Sequence, residues 1–213
     1  MTEDTQGGEL SEEVVERLAE AAHAEFCASM ARRGFTYGAA SDKSRLTHNA
    51  LRPFAQLSDD QREQSWMLAR AIPDKLRAAG FAIVPAGSSD DAAAFPGLLL
   101  EQLAEDEHAR WVRVKIANGW RFAPITDRSR MEHASMVRWS ATASPSLRGT
   151  YSAAERAAMG PGELSDEERE KDRVMVRGIP RMLAQAGLAV RMIGEAPNVP
   201  RRLDDEALEA RQA

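Results

Sequence analysis

Two short segments of the chain share an unusual mixture of an acid, arginines, a histidine and a terminal aromatic residue. The first, DKSRLTHNALRPF, covers residues 42–54, and the second, DRSRMEHASMVRW, covers residues 127–139. Arginine offers a planar fork of N–H donors that matches phosphate, and a neutral imidazole can donate one hydrogen bond and accept another. The sequence therefore predicts a binding chemistry that the chain builds twice.

Four aromatic residues lie just before these segments or near their start, at matched positions. A flat base stacked on such a ring gains about 1–3 kcal/mol, and the contact tolerates different bases. The alternative is that the rings are buried against the preceding helix, as most large aromatic side chains are. With the matched arginines and histidines they make eight candidate ligand-binding residues: Phe35, Tyr37, Arg45, His48, Trp120, Phe122, Arg130 and His133.

Each polar candidate also has a structural interpretation. Arg45 and Arg130 could hold phosphate, or they could form local ion pairs with Asp42 and Asp127. The two loop histidines could bond a base edge or a ribose, or they could bond a backbone carbonyl and hold the loop shut. The remaining basic residues of the two segments are Lys43, Arg52, Arg128 and Arg138.

The sequence contains no motif for catalysis. It has no glycine-rich phosphate loop, no G-x-S-x-G turn and no cysteine–histidine motif, so we expect no enzymatic activity. A metal site needs three or four converging ligands, whereas the four histidines are divided between two distant regions, so we expect no metal and no cofactor. His23 and His108 lie in predicted helices and are expected to pack with a satisfied polar tip. Cys27 is expected to be a small buried thiol.

The composition limits the class of protein. The chain has 213 residues and a net charge of −5, which argues against general nucleic-acid binding because phosphate binding needs a cationic face. The single cysteine allows no disulfide within the chain, so the reducing cytoplasm is the expected compartment. No apolar run is long enough to span a membrane. The expected partners are a nucleotide-derived small molecule or another protein.

A tandem duplication explains why the segment occurs twice. An offset of 85 residues maps LAEAAHAEF (residues 18–26) onto LAEDEHARW (residues 103–111). An offset of 107 maps residues 57–83 onto residues 164–190, so the second copy carries 22 additional residues near 140–162. Matched order and spacing are the signature of an internal repeat. The predicted organisation is a disordered N-terminus (1–9), copy one (10–84), a linker (85–97), copy two (98–192) and a polar C-terminal tail (193–213).

Each copy is predicted to be mainly α, with short β or loop segments that could include a hairpin. Ser11 is a predicted N-cap, and the segments 58–61 and 165–168 are predicted capping boxes. Pro73 and Pro180 predict a kink or a break into two shorter helices. The insertion is predicted to be a loop with one helical turn. The glycines expected to end helices are Gly34, Gly80, Gly119 and Gly187.

The order of these motifs resembles the RyR domain, the repeat found in tandem in the cytoplasmic part of ryanodine receptors and alone or in pairs in bacterial proteins. The resemblance is carried by LAEAAHAEF, GFTYG and THNALRPF in copy one, and by LAEDEHARW, GWRFA, EHASMVRW and LSDEEREKDR in copy two. The chain departs from the family pattern at Phe26 and Phe35, where relatives usually have tryptophan. It also departs at Asn49 and Ala134, where proline is expected, and at Ala123, where glycine is expected.

The resemblance implies a compact, mostly helical module in each copy, with the two copies packed with pseudo-two-fold symmetry. In the receptors the tandem pair is associated with nucleotide binding between its halves, where adenine stacks on the tryptophan of a Gly-Trp motif that matches Trp120 here. No catalytic activity is attached to the domain. The leading hypothesis is therefore a non-catalytic sensor of a nucleotide-derived anion, bound in a cleft between the copies. The alternative is a protein-interaction or scaffolding module without a small ligand.

Overall fold

Helices dominate the computed structural model, which describes residues 10–87, 94–140 and 151–193 and confirms the mainly α prediction. The predicted disordered N-terminus, residues 88–93 of the linker, the first part of the insertion and all of the C-terminal tail except residue 193 lie outside these residues. The helices are α1 (Glu12–Arg32), α2 (Asp59–Ala78), α3 (Gly97–Ala117), α4 (Ala153–Ala158) and α5 (Asp166–Gln185). The strands are β1 (Thr36–Tyr37), β2 (Thr47–His48), β3 (Phe81–Pro85), β4 (Arg121–Phe122), β5 (Glu132–His133) and β6 (Leu188–Met192).

The helix ends follow the local signals in the sequence. Ser11 caps α1, because its hydroxyl oxygen accepts a hydrogen bond from the backbone N–H of Val14. A full capping box opens α2 at Ser58. Each of the four predicted glycines follows a helix. Each glycine has a left-handed backbone conformation, which other residues adopt only with strain. Their φ angles are 82° (Gly34), 80° (Gly80), 78° (Gly119) and 75° (Gly187).

The predicted capping box of α5 and the predicted break at the helix prolines are wrong, while a kink at these prolines stays a prediction. The Ser165 hydroxyl accepts from the backbone of Glu168, but the Glu168 carboxylate bonds the Ser135 hydroxyl instead of completing the capping box. Pro73 and Pro180 do not break their helices, which continue on both sides of each proline. A proline inside a helix costs roughly 3 kcal/mol. A large apolar residue is buried on each side of the proline, and burying one such side chain stabilises the fold by about 1.5–3 kcal/mol. This burial offsets the cost of the proline.

The strands form three two-stranded sheets within the described residues. The pairs β1–β2 and β4–β5 are parallel, so the predicted hairpin is replaced by a loop that returns alongside its own start. The pair β3–β6 is antiparallel and joins the two copies, with Ile83 opposite Val190. These two residues are counterparts at the offset of 107. Such a register is the one that a local two-fold axis between the strands requires, while the pseudo-two-fold packing of the whole copies stays a prediction.

A single apolar core runs through both copies. Within copy one α1 packs on α2, within copy two α3 packs on α5, and α1 crosses between the copies to pack on α5. The close approach of α1 and α5 depends on Gly178, where a Cβ would lie 3.3 Å from Cγ of Glu25. The fully buried side chains of this core include Leu18, Ile72, Leu76, Leu103, Val176, Ile179 and Leu183.

One pair of contacts has different residue types but a similar arrangement at matched positions of the two copies. In copy one the Trp66 indole N–H donates to Glu16, and the Trp66 ring meets the edge of Phe54. In copy two Arg173 occupies the position of Trp66, donates to Glu101 and lies 5.8 Å from the ring centroid of Trp139. The acceptor is a glutamate in both copies, and an aromatic pair has become a cation–π pair.

A buried charge network also links the copies. Lys75 of α2 is 1% exposed, and its Nζ lies 2.6 Å from Asp106 and 3.3 Å from Glu107 on α3. Glu107 also accepts from Arg110. Burial acts to raise the pKa of Glu107, yet the charges of Arg110 and Lys75 hold that pKa below its ordinary value. At the counterpart of Lys75, copy two has the buried Met182.

We predict that Lys75→Met lowers the free energy of unfolding by roughly 3–5 kcal/mol, because it leaves buried carboxylates without their shared cation. The double variant Lys75→Met/Asp106→Ala should recover most of that loss, since it installs the residue types of the counterparts Met182 and Ala21 and leaves Glu107 paired with Arg110. Urea unfolding of the two variants and the wild type measures both effects. Equal stability of the single variant and the wild type would contradict the argument.

Candidate functional site

The two loops that carry the candidate residues are built in the same way. In copy one, Oδ1 of Asp42 accepts from the backbone N–H of Ser44 at 2.9 Å and from its hydroxyl at 2.6 Å. In copy two, Asp127 accepts from Ser129 at the same two distances. Hydrogen bonds from these serine hydroxyls lower the pKa of both aspartates. The acid in each segment is therefore part of a turn that shapes the loop.

Each loop is closed by a residue with a left-handed backbone. Leu46 (φ 51°) and Met131 (φ 54°) occupy matched positions. The carbonyl of Leu46 accepts from the N–H of Thr36 at 2.8 Å, and that of Met131 accepts from Arg121 at 3.0 Å. These bonds join the end of each loop to its start, so the loops have defined shapes.

His48 and His133 hold the next turn of each loop. Nδ1 of His48 accepts from the backbone N–H of Ala50 at 3.1 Å, and Nδ1 of His133 accepts from Ser135 at 3.1 Å. An accepting Nδ1 places the proton of the neutral ring on Nε2. The histidines thus hold their loops through a backbone N–H and not through the predicted carbonyl. Burial lowers the pKa of both rings, and the pKa of His133 falls to about 4.

The helical histidines tie the first helix of each copy to the end of its loop. Nε2 of His23 lies 2.8 Å from the carbonyl oxygen of Arg52, and Nε2 of His108 lies 2.9 Å from that of Val137. Both side chains are buried. The prediction that they pack with a satisfied polar tip is confirmed.

The four candidate rings have different surroundings. Tyr37 is 55% exposed. Phe122 packs against the core, and Gly160 covers its ring so closely that a Cβ there would lie 2.3 Å away. Phe35 and Trp120 are partly exposed. A cation already lies over each of these two rings, with Arg33 5.6 Å from the centroid of Phe35 and Nζ of Lys115 4.0 Å from that of Trp120.

The two candidate arginines form weak local ion pairs. Arg45 lies 3.6 Å from Asp42, as the structural alternative predicted. Arg130 lies 3.6 Å from Glu132, and its charge is also among the causes that lower the pKa of Asp127. Both arginine side chains are largely exposed, and such pairs contribute about 0–1 kcal/mol.

The first turn of α5 brings the two loops together, which sequence reasoning missed. Glu167 accepts from Arg33 at 2.9 Å and lies 3.7 Å from Lys43, both in copy one. The adjacent Glu168 accepts from Ser135 in the loop of copy two at 3.1 Å. The failed capping box at Ser165 is the consequence, since Glu168 is used between elements. A glutamate at the third position of a helix gives no sign in the sequence of which bond it will make.

The charge of Arg128 acts on residues of both copies. After burial, its charge is the next cause that lowers the pKa of His48 and of Lys115, and it also contributes at His133. Arg128 therefore lies within electrostatic range of both copies. Among the described residues, no carboxylate pairs with it. We call His48, Lys115, Arg128 and His133 the basic cluster.

A comparison with protein families identifies one copy of this arrangement. A family model for the RyR domain matches residues 4–85. Residues 4–85 are a RyR domain. No curated protein matches the chain. The matched residues contain α1, β1, β2, α2 and β3. A RyR domain suggests a non-catalytic module. That copy two is a second RyR domain stays a prediction, which the matched contacts of its loop support.

Two further searches concern the described residues alone. No group of three or more His, Cys, Asp or Glu side chains there could hold a metal ion. No helix there is long and apolar enough to cross a membrane.

Cys27 of the RyR domain is only partly buried, and its Sγ lies 3.3 Å from Nε2 of His23. Burial raises the pKa of this thiol.

His133 is predicted to make the protein sensitive to acid. Its pKa in the folded chain is about 4 instead of 6.5, so as the pH falls the unfolded chain takes up this proton first. The stabilisation from the neutral ring is complete above pH 6.5 and is lost as the pH falls towards 4. We expect the stability of the wild type relative to His133→Asn, measured by urea unfolding, to decline over that range. An NMR titration that gives His133 an ordinary pKa in the folded protein would contradict this.

Proposed function

We propose that the protein is a non-catalytic, cytoplasmic binding module that senses a nucleotide or a nucleotide-derived anion at the basic cluster. The observation that carries the proposal is the placement of Arg128 near the histidines of both loops without a carboxylate partner among the described residues. Burial and the charge of Arg128 lower the pKa of Lys115, so these two cations lie in unfavourable proximity. An anion bound between them relieves that repulsion, so the arrangement favours a phosphate-bearing ligand.

Exposed arginines on the two loops support the same ligand class. Arg45 and Arg130 form only weak pairs with Asp42 and Glu132. Breaking an ion pair of that strength to bind a phosphate costs little free energy. A guanidinium group can then bind the phosphate through two parallel hydrogen bonds. The loop histidines each keep an Nε2–H donor for a sugar or a base edge.

The aromatic rings support the base-binding part of the proposal unequally. Trp120 is the better platform, since it is partly exposed and lies near His133, at 6.2 Å between ring centroids. Lys115 would have to move from the face of Trp120 that it covers, or the base would stack on the other face. Phe35 offers a smaller ring beside Arg33, and Phe122 has no free face on the side covered by Gly160. The proposed base therefore stacks in copy two.

A second candidate function is that of a protein-interaction module without a small ligand. The observation that favours it is the exposure of large apolar side chains on both loops, among them Ile125 at 80%. A partner protein that binds the wild type and Trp120→Ala equally well, but not a variant lacking the insertion, would favour this function over ligand sensing.

The proposal predicts that adenine nucleotides at millimolar concentration raise the thermal unfolding temperature of the wild type. Arg128→Gln should weaken this binding by about tenfold or more, because it removes the cation whose charge acts on both copies. Arg77→Gln is the matched control. Arg77 is an exposed arginine in the last turn of α2, where it pairs with Asp74, and it does not belong to the basic cluster. It should respond to nucleotides as the wild type does.

The ligand panel separates the parts of the site. Adenosine tests stacking without phosphate, and inorganic phosphate tests the cluster without a base. The proposal fails if no nucleotide of the panel shifts the unfolding temperature, or if Arg128→Gln and Arg77→Gln respond alike.

A further inference from the structure

We propose that the tips of the two loops form one docking face for an acidic segment of a partner protein that also carries large apolar side chains. The loop face consists of Tyr37 and Leu46 in copy one and of Ile125 and Met131 in copy two. Its apolar side chains do not belong to the basic cluster, while some of the arginines around them are shared with the proposed nucleotide site.

The apolar side chains of the loop face point into solvent. Tyr37 is 55% exposed, Leu46 41%, Ile125 80% and Met131 46%. A singly exposed apolar residue is common on protein surfaces, but grouped ones mark interaction sites. The charge of Arg128 in copy two contributes to the lowered pKa of His48 in copy one, and two adjacent glutamates of α5 contact one loop each. The two loop tips therefore lie at the same end of the molecule.

The backbone at Leu46 and Met131 strengthens the inference. Both residues have a positive φ, which suits glycine or asparagine and strains a large side chain. Glycine or asparagine at each of these two positions would therefore lower the strain in the backbone. Strained residues of this kind are concentrated at functional sites, where the side chain itself is needed. The strain occurs at matched positions in the two loops, and in both cases it presents an apolar side chain to solvent.

The charge around the tips selects the partner. Residues 36–54 contain three basic residues and one acidic residue, and residues 121–139 contain four basic and two acidic residues. Each segment thus has a net charge of +2, in a chain whose net charge is −5. Basic residues around apolar ones complement a segment in which carboxylates alternate with apolar anchors.

A protein segment fits the loop face better than a membrane surface does. Membrane-binding elements usually bury a continuous apolar face of a helix in the lipid. Here four apolar side chains stand on two separate loops, each held in shape by an aspartate turn and by a bond to the start of its loop. Preformed anchors of this kind lose little conformational freedom when they bind a peptide.

The test uses the full chain and a short fluorescein-labelled peptide of alternating leucine and glutamate. We expect saturable binding in fluorescence anisotropy that weakens as salt is raised, because charges contribute. Leu46→Asn/Met131→Asn should weaken it by about tenfold or more, since these residues are the apolar anchors. Asparagine tolerates the left-handed backbone, so the variant should unfold at the same temperature as the wild type or a higher one.

Two controls make the outcome decisive. Met192→Asn/Ile193→Asn removes exposed apolar side chains at the end of β6, away from the loops, and should bind the peptide as the wild type does. A peptide with lysine in place of glutamate should not bind. The proposal is overturned if the acidic peptide does not bind, or if the two asparagine variants bind it alike. It is also overturned if the chain binds vesicles of anionic phospholipid through Leu46 and Met131 but not the peptide.

Discussion

The arrangement of the two copies depends on burying Lys75 of one copy against Asp106 and Glu107 of the other. A cation with 1% exposure cannot be solvated, so the acids of α3 must lie where they do. Such a network contributes less to stability than apolar packing would, but it admits only one relative position of the helices that carry it. At the matched positions the other half of the molecule has the buried apolar residues Met182 and Ala21.

Once the helices are fixed, the loops have little freedom. His23 and His108 bind the ends of the loops to α1 and α3, while Asp42 and Asp127 shape the turns. The first turn of α5 then bonds both loops, and Arg128 comes within range of the histidines of both copies. The basic cluster is a product of convergence, since neither loop alone contains all of its residues. A small anion and a protein partner would use different parts of these loops, the base of the cluster and the exposed tips.

Local signals in the sequence predicted the parts of the fold that depend on local physics. Ser11 and the four glycines are recognisable because capping and left-handed backbones require particular residues. The failures arose where tertiary contacts decide. Pro180 stays within a helix because the core holds both sides of it, and Glu168 leaves its cap because Ser135 is nearby. The strand pair β3–β6 could not be predicted, since its members are about 100 residues apart. For the candidate site, the residue types pointed to the two loops, but only the structure reveals that Phe122 is covered and that the charge of Arg128 acts on both copies.

The strand pairing between the copies has an evolutionary consequence. Because Ile83 pairs with its own counterpart, two separate molecules that each held a single copy would present the complementary edges needed to form the same ribbon. The tandem chain is what fusing the subunits of such a symmetric homodimer would produce. Fusion replaces a concentration-dependent association with an intramolecular one, at an effective concentration set by the tether. Two joined halves can differ from each other, and here one carries Lys75 while the other carries its partners Asp106 and Glu107.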